Sequence, residues 1–318
     1  MSVSESDVVW AYRVFLGREP ENERVLRDHC RARDLHTLCE TFLASPEFQL
    51  RAGTAAVRPS LPPVFMPRLA VETTSDPDDL RELWARTRRA WEKLGERRPY
   101  HSVLTDERYA PEKFDEFEPE FWQSGEDEAA QLAGYLADIR SARLADAVVL
   151  DFGCGVGRVT IPLARMARSV VGYDISERHL GIARARASAL GLANVRLFAI
   201  GEGLPTALER CDVFFSRIVL QHNPPPVIDH VLRTLIRALN PGGIGVFQVP
   251  TYFVGYQFSV RGALRAPQKL DIDMHCYPQP ELFALIAREG ARMLEMREDD
   301  APGRRDLFVS NTFVLTKD

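Results

Sequence analysis

The feature that most constrains this chain is a short apolar run followed by glycines at every second position. Residues 147–150 are Ala-Val-Val-Leu, which is typical of a buried strand, and Asp151 ends the run. Gly153, Gly155 and Gly157 follow, and an apolar helical pattern begins directly after them. Strand, glycine turn and helix in this order form the nucleotide site of a doubly wound α/β sheet. The sequence therefore predicts this fold class around the turn.

The turn differs from the fingerprint of dinucleotide-binding proteins. That fingerprint needs a glycine one position after Gly157, where this chain has Arg158. Asp151 would repel a pyrophosphate but attract a cation. A second strand-like run over 169–173 ends in Asp174, whose carboxylate can accept hydrogen bonds from ribose hydroxyls. The two carboxylates favour a ligand that carries both a positive charge and a ribose.

Two motifs in this region resemble those of the class I S-adenosylmethionine (SAM)-dependent methyltransferases. They are Leu-Asp-Phe-Gly-Cys-Gly-Val-Gly over 150–157 and Val-Gly-Tyr-Asp-Ile-Ser over 171–176. The resemblance implies a Rossmann-like seven-stranded sheet, mostly parallel with an antiparallel last strand, and SAM as cofactor. It also implies a set of cofactor-binding positions at the strand ends: Asp151, Gly153, Cys154, Gly155, Arg158, Asp174, Ile175, Glu202, Ser216, Arg217 and Ile218. Within this set Arg158 either pairs with the SAM carboxylate or faces solvent, and Glu202 stands where the usual Asp is missing.

Composition narrows the classes of partner. A net charge of −5 and a pI of about 5.9 leave no basic footprint for nucleic acid. No apolar run reaches the roughly 18 residues of a membrane helix, and the first residues do not resemble a signal peptide. Five scattered cysteines indicate reduced thiols, and none is paired for a metal. We therefore expect a cytoplasmic protein without a metal, a membrane span or a nucleic-acid partner.

Helical and proline-rich stretches predict four segments. Residues 1–51 carry three helical apolar stripes and form a small all-α module. Residues 52–79 hold several prolines and few helix formers, as a linker does. Residues 80–146 combine helical spacing with clustered aromatics and are predicted as a lid segment. Strands and helices alternate over 147–318, which predicts the methyltransferase domain.

The N-terminal module has a resemblance of its own. Leu-Gly-Arg-Glu-Pro over 16–20 and Phe-Leu-Ala-Ser-Pro-Glu-Phe over 42–48 are similar to a small helical domain appended to bacterial glycosyltransferases and methyltransferases of surface-polysaccharide assembly. The resemblance implies a polysaccharide context and a possible protein partner for this module. A packing or docking role without chemistry is the alternative.

The lid segment leaves two interpretations open. Phe121 to Gly125 either folds over the methionine end of SAM, as the resemblance implies, or packs its aromatics onto the core.

Two histidines are candidates for proton transfer. His222 follows the fourth predicted strand, which the resemblance places beside the methyl group, and it is either a general base or a hydrogen-bonded helper. His275 is the second candidate, in an insertion over 251–278. The remaining histidines, including His179, are expected on helix or loop surfaces.

The insertion also carries aromatics that suit an acceptor. Tyr252, Tyr256 and Tyr277 are predicted to bind a sugar ring or an apolar acceptor at the crevice, because long connections in compact domains are often functional. A lid or an oligomer contact is the alternative.

Three functional hypotheses follow. The first is SAM-dependent O-methylation of a saccharide or glycan intermediate in bacterial polysaccharide biosynthesis. The second is O- or N-methylation of a small metabolite. The third is a non-catalytic partner that retains the fold within a complex.

Overall fold

The chain forms two compact units, Met1–Met66 and Pro67–Asp318. The computed structural model describes residues 3–45, 47–48, 66–140, 143–268, 271–304 and 307–317. Of the predicted linker 52–79, the part up to residue 65 lies outside the described residues. The part from residue 67 onward belongs to the second unit, so the second unit begins earlier than the sequence suggested.

The first unit is helical, as its apolar stripes predicted. Its helices are α1 (Glu5–Ala11), which continues into a π-helical turn (Tyr12–Leu16), α2 (Glu23–His29) and α3 (Leu35–Leu43). Gly17 adopts a left-handed φ of 57° at the end of the turn, which favours glycine. Buried Tyr12 and Phe42 meet edge to face in the core of this unit, with ring centroids 4.9 Å apart.

The second unit is built on a central sheet with helices on both faces. Its strands are β1 (Ala70–Val71), β2 (Val148–Phe152), β3 (Ser169–Asp174), β4 (Val195–Ala199), β5 (Cys211–Ser216), β6 (Leu239–Phe253), β7 (Gln257–Phe258), β8 (Ala291–Asp299) and β9 (Phe308–Lys317). Its α-helices are α4 (Pro77–Arg97), α5 (Phe114–Arg140), α6 (Thr160–Met166), α7 (Glu177–Ala189), α8 (Pro225–Ala238), α9 (Val260–Arg265) and α10 (Gln279–Arg288). Short 3₁₀ turns lie at Glu107–Tyr109, Leu144–Asp146 and Leu220–His222.

The seven-stranded sheet has the order β4-β3-β2-β5-β6-β9-β8. Neighbours from β4 to β6 are parallel, whereas β9 runs antiparallel to both β6 and β8. The predicted Rossmann-like sheet with an antiparallel last strand is therefore confirmed. From β2 the chain adds β3 and β4 on one side and then β5 and β6 on the other, so the strand order reverses at β2. The carboxyl ends of β2, β3 and β5 frame the crevice expected at such a point.

Alternating side chains on the strands bury both faces of the sheet. Val149 packs into a core with α5 and α6, while the next residue, Leu150, packs into the opposite core with α8. The burial of both faces explains why β2 is continuously apolar from Val148 to Leu150 rather than alternating.

Helix α4 lies over the carboxyl ends of the strands. Asp76 caps its first turn by accepting hydrogen bonds from the backbone N–H groups of Asp78 and Asp79, and Pro77 occupies its first position. A Cβ on Gly95 would lie 2.2 Å from the Ser176 Oγ, so the helix packs closely against the loop after β3 at this point. The segment predicted as a lid thus begins with a helix that closes the crevice.

Candidate functional site

A cavity opens at the switch point, between the strand ends and α4. Its lining combines the glycine turn, charged groups and apolar side chains: Trp84, Trp91, Ser102, Val103, Glu128, Asp151, Phe152, Gly153, Cys154, Gly155, Arg158, Val159, Asp174, Ile175, His179, Ile200, Phe215, Arg217, Ile218, Val219 and Asn223. We call it the first cavity. Apart from Glu202 and Ser216, every position predicted to bind the cofactor borders it.

The glycine turn is held in a conformation that other residues would strain. Gly153 has a φ of 77°, and a Cβ there would lie 2.3 Å from Val219 Cγ2. Asp174 fixes the same turn, because its Oδ2 accepts a hydrogen bond from the Gly155 N–H at 2.8 Å. Its Oδ1 accepts another from the Ser176 N–H at 2.8 Å, at the start of α7. The carboxylate therefore ties β3 to the turn after β2.

Asp151 is the more deeply buried of the two carboxylates, with 4% of its surface exposed. Thr160 donates a hydrogen bond to its Oδ2 at 2.6 Å. Burial raises the pKa of Asp151 to about 7, and the negative charges of Glu128 and Asp174 add to this effect. A cation in the cavity would favour the ionised form.

A buried carboxylate joins two arginines on the other side of the cavity. Glu128, from α5, pairs with Arg158 through one oxygen and lies 3.0 Å from Arg217 through the other. Burial acts to raise the pKa of Glu128, but the two guanidinium groups outweigh it and hold the pKa below its usual value. Arg158 has only 7% of its surface exposed, so the interpretation that it faces solvent is wrong.

The backbone after β5 is strained where it borders the cavity. Ile218 has a φ of 58°, which is costly for a β-branched residue. Its N–H donates to the Gln248 Oε1 at 3.0 Å, and this bond helps to hold the conformation.

Two predicted cofactor positions do not reach the lining. The side chain of Glu202 is 92% exposed and lies 4.0 Å from Arg88, because the loop after β4 turns it toward solvent. Ser216 is buried, but its hydroxyl donates to the Phe152 carbonyl at 3.0 Å and so joins β5 to β2.

The aromatic side chains that precede the first predicted strand pack against one another in a buried cluster and do not line the cavity. Phe121 and Trp122 lie in a buried cluster with Tyr109, Phe114 and Val156, which covers the outside of the glycine turn. The structure therefore favours core packing for the stretch from Phe121 to Gly125. The cavity is closed instead by other residues of the same segment: Trp84, Trp91, Ser102, Val103 and Glu128.

His179 lies in the lining, although the sequence suggested a surface position. It is 2% exposed, and its Nε2 lies 3.0 Å from the Ser102 Oγ. Its Nδ1 lies 3.7 Å from an oxygen of Asp174. The sequence carried one signal for this location. His179 lies three residues after Ser176, which caps the first turn of α7 at the crevice.

The two histidines predicted for proton transfer border a second cavity, beside the first. His222 donates from Nδ1 to the Asp273 carbonyl at 3.0 Å, and its Nε2 lies 3.1 Å from the Gln221 amide nitrogen. Burial lowers the pKa of His222 to about 4. Burial and the neighbouring His222 lower the pKa of His275 to about 3. Both rings are neutral, and the two nitrogens of His222 are engaged, which favours the helper interpretation for that residue.

The three tyrosines predicted to bind the acceptor border neither cavity. Tyr277 is fully buried in the core beside α8, and its hydroxyl donates to Asp229 of that helix at 2.8 Å. Tyr256 bonds to the His275 ring at 2.7 Å, behind the cavity wall. Tyr252 lies on β6, paired with Val309 of β9.

The described residues contain no group of three or more His, Cys, Asp or Glu side chains that could hold a metal ion. Among the helices of these same ranges, none is both long and apolar enough to cross a bilayer.

Comparison with known proteins gives a consistent result. Residues 149–243 match a family described as a methyltransferase domain. An O-methyltransferase of ubiquinone biosynthesis from Rhizobium johnstonii is 37% identical over 108 residues, which cover 34% of this chain and 43% of that protein. A protein of the same name from a Ruegeria species is 26% identical over 72% of this chain and 87% of its own length.

The chain spans less than half the length of the Rhizobium relative. Magnesium protoporphyrin IX methyltransferase from Synechocystis, solved with bound S-adenosylhomocysteine, superposes with a TM-score of 0.53 at 18% identity. The superposition covers 76% of this chain and all of that one, and it shows the shared fold. The chain therefore contains a class I SAM-dependent methyltransferase domain, whose cofactor is S-adenosylmethionine.

Proposed function

We propose that this protein transfers a methyl group from SAM to a hydroxyl oxygen of a small-molecule metabolite. The proposal rests on one observation. Asp151 and Asp174, which lie at the ends of neighbouring strands, both border the same cavity beside the glycine turn. The family match over 149–243 supports the type of reaction. The names of the relatives, O-methyltransferases of ubiquinone biosynthesis, support an O-methylated small molecule.

A saccharide acceptor has lost its support. The relatives act in ubiquinone biosynthesis by name, and the family match lies outside the N-terminal unit whose resemblance suggested polysaccharide assembly. The tyrosines expected to stack on a sugar border neither cavity.

The lining of the first cavity suits SAM on three counts. Asp174 would accept hydrogen bonds from the ribose hydroxyls, and Ile175 and Ile200 would pack against the adenine. Asp151 would favour the positive charges of the methionine part. Arg217 would bind the carboxylate, since Glu128 neutralises only one of the two arginines and the Arg217 side chain is 37% exposed.

When bound, SAM supplies an activated methyl group, whose sulfur–carbon bond breaks as the acceptor oxygen–carbon bond forms, leaving a neutral thioether. The chain's contribution is to position the acceptor and exclude water. His222 holds the turn after β5 through its bonds to Gln221 and Asp273. The hydroxyl proton leaves to bulk solvent after the methyl transfer, because the described histidines of the second cavity are weak bases.

Calorimetry with SAM tests the cofactor half of the proposal. Asp174→Ala removes the ribose acceptor and the tie to Gly155, and we expect about 100-fold weaker binding. Glu202→Ala, at an exposed position outside the lining, is the matched control and should bind as the wild type does. Equal affinities for Asp174→Ala and wild type, or no binding by the wild type, would contradict the proposal.

Labelled SAM tests the acceptor half. The protein is incubated with pooled phenolic, quinol and saccharide compounds, and products are separated by chromatography. Label in a hydroxyl-bearing small molecule is expected, whereas label only in saccharides would contradict it.

A further inference from the structure

The second cavity lies between α4 and the insertion that follows β6. Helix α4 contributes one face, and the insertion and the turn after β5 contribute the rest: Leu83, Arg86, Thr87, Ala90, Trp91, His222, Pro224, Phe258, Ala263, Ala266, Pro267, Gln268, Asp271, Asp273 and His275. The α4 residues recur every three or four positions, which is the spacing of a single helix face. β1 and β7, which pair at Ala70 and Gln257, join the start of this unit to the same insertion.

Trp91 borders both cavities. Its ring lies 5.3 Å from the His222 ring, with 54° between the planes. One indole therefore forms the partition between the two spaces. A molecule in the second cavity lies beside whatever occupies the first.

The charged side chain closest to the middle of this helix face is already engaged. The Arg86 guanidinium donates to the backbone carbonyls of Ala263, Leu264 and Ala266 at 2.7–3.0 Å, where α9 ends. These bonds fasten α4 to the insertion and leave Arg86 unsuited to an anionic ligand. The aromatic and aliphatic walls, including Phe258, instead suit a flat apolar ring.

His275 supplies a directed hydrogen bond in this apolar setting. We assign the Tyr256 hydroxyl, 2.7 Å away, as the donor to Nδ1. The ring proton then resides on Nε2. No residue of the described ranges bonds to Nε2, and the ring borders the cavity. His275 is half-buried, and a donor held in such a setting favours ligands that carry the matching acceptor.

On the basis of the proposed function, we infer that the second cavity binds the methyl acceptor, and that the acceptor is a small planar apolar ring bearing an oxygen that accepts a hydrogen bond from His275 Nε2. Trp91 places this ring next to the first cavity. Shape and one hydrogen bond select the ring, and the exposed Asp271 and Asp273, which also border the cavity, disfavour an anionic acceptor.

The first test fills the cavity. Catechol is the probe for a planar hydroxylated ring, and methyl glucoside is the comparison, each titrated into protein saturated with S-adenosylhomocysteine. Ala263→Trp places an indole in the space, and we expect catechol affinity to fall at least about tenfold. Arg261→Trp, exposed on the same helix, is the matched control and should retain wild-type affinity. SAM affinity should be unchanged in both, which also shows that both fold.

The second test removes the donor. His275→Phe should weaken catechol binding about tenfold, while His275→Gln retains an N–H near Nε2 and should stay within about threefold of wild type. This pair decides the question if Ala263→Trp does not fold.

Preference for methyl glucoside, absence of catechol binding to SAM-competent protein, or equal catechol affinity in all four variants would overturn the inference. Such a result would leave SAM binding intact, whereas failure of the proposed function would show as wild-type protein that does not bind SAM.

Discussion

The two cavities that meet at Trp91 are built from opposite kinds of side chain. The first gathers Asp151, Asp174 and Glu128 with two arginines, and its backbone is strained at Ile218. The second has neutral histidines, largely apolar walls and two exposed aspartates, Asp271 and Asp273, and its arginine is bound by backbone carbonyls. One half of the site is organised by charge and the other by shape.

This difference fits the chemistry of methyl transfer. A charged cofactor needs compensating charges, and burying them is costly unless each is paired, as Glu128 pairs with Arg158 and Arg217. Because the methyl group is already activated, its transfer depends more on positioning the acceptor and excluding water than on a strong base. The contrast predicts that variants of the first cavity change cofactor affinity, whereas variants of the second change acceptor affinity.

The largest effect is expected at the glycine turn. Gly153→Ala places a Cβ against Val219 at a φ of 77°, and the combined strain and overpacking should weaken SAM binding by at least about 100-fold. Gly134→Ala is the matched control, since a Cβ there meets nothing within 4 Å in the middle of α5. Calorimetry with SAM measures both, and binding of Gly153→Ala within fivefold of Gly134→Ala would break the comparison.

Arg217→Gln should have the next largest effect. It removes the more exposed guanidinium and leaves Glu128 paired with Arg158, so SAM should bind about thirtyfold more weakly. Arg88→Gln, which alters an arginine of α4 outside the lining, should leave the affinity unchanged. If the two variants bind SAM equally well, the carboxylate of the cofactor is held elsewhere.

The charged half of the site was largely predictable because its residues are local in sequence. A strand that ends in Asp151 and a glycine turn must present neighbouring residues to one crevice, and the parallel strand that ends in Asp174 must meet them there. Glu202 shows the limit of this reasoning, because the direction of a loop after β4 depends on packing rather than on motif.

The other half depends on tertiary contacts that no local pattern specifies. Trp91 lies beside the crevice because α4 docks at Gly95 against Ser176, far away in the sequence. Tyr277 and Tyr256 are aromatic like many ligand-binding residues, but their hydroxyls are bound to Asp229 and His275. Composition predicted an aromatic insertion and could not predict which rings face outward.

A pH dependence of about tenfold is expected for SAM affinity between pH 8 and pH 6. The pKa of Asp151 is raised to about 7 by burial, with Glu128 and Asp174 adding to the shift and Arg158 opposing it. Below pH 7 the carboxyl group is protonated in the free protein, and a cation must displace that proton, so affinity falls as the pH drops. Calorimetry in buffers of different ionisation enthalpy should show proton release at pH 6.

Asp151→Asn is the control for this dependence. It should bind SAM more weakly at pH 8 and lose most of the change between pH 8 and pH 6. A variant that retains the full dependence would assign it to another group of the first cavity.

The smallest effect is expected at His222, and it is the sharpest test of the contrast. Both ring nitrogens are bonded within the protein and burial lowers the pKa to about 4, so the ring cannot readily take a proton from an acceptor hydroxyl. His222→Asn, whose amide can still donate to the Asp273 carbonyl, should lower kcat by about threefold, whereas loss of a general base costs about 100-fold or more. Steady-state methyl transfer at saturating SAM, with an acceptor found in the pooled compounds, measures this. A 100-fold loss would mean that His222 acts as a general base in the second cavity. The distinction between a first cavity that binds by charge and a second that binds by shape would then no longer hold.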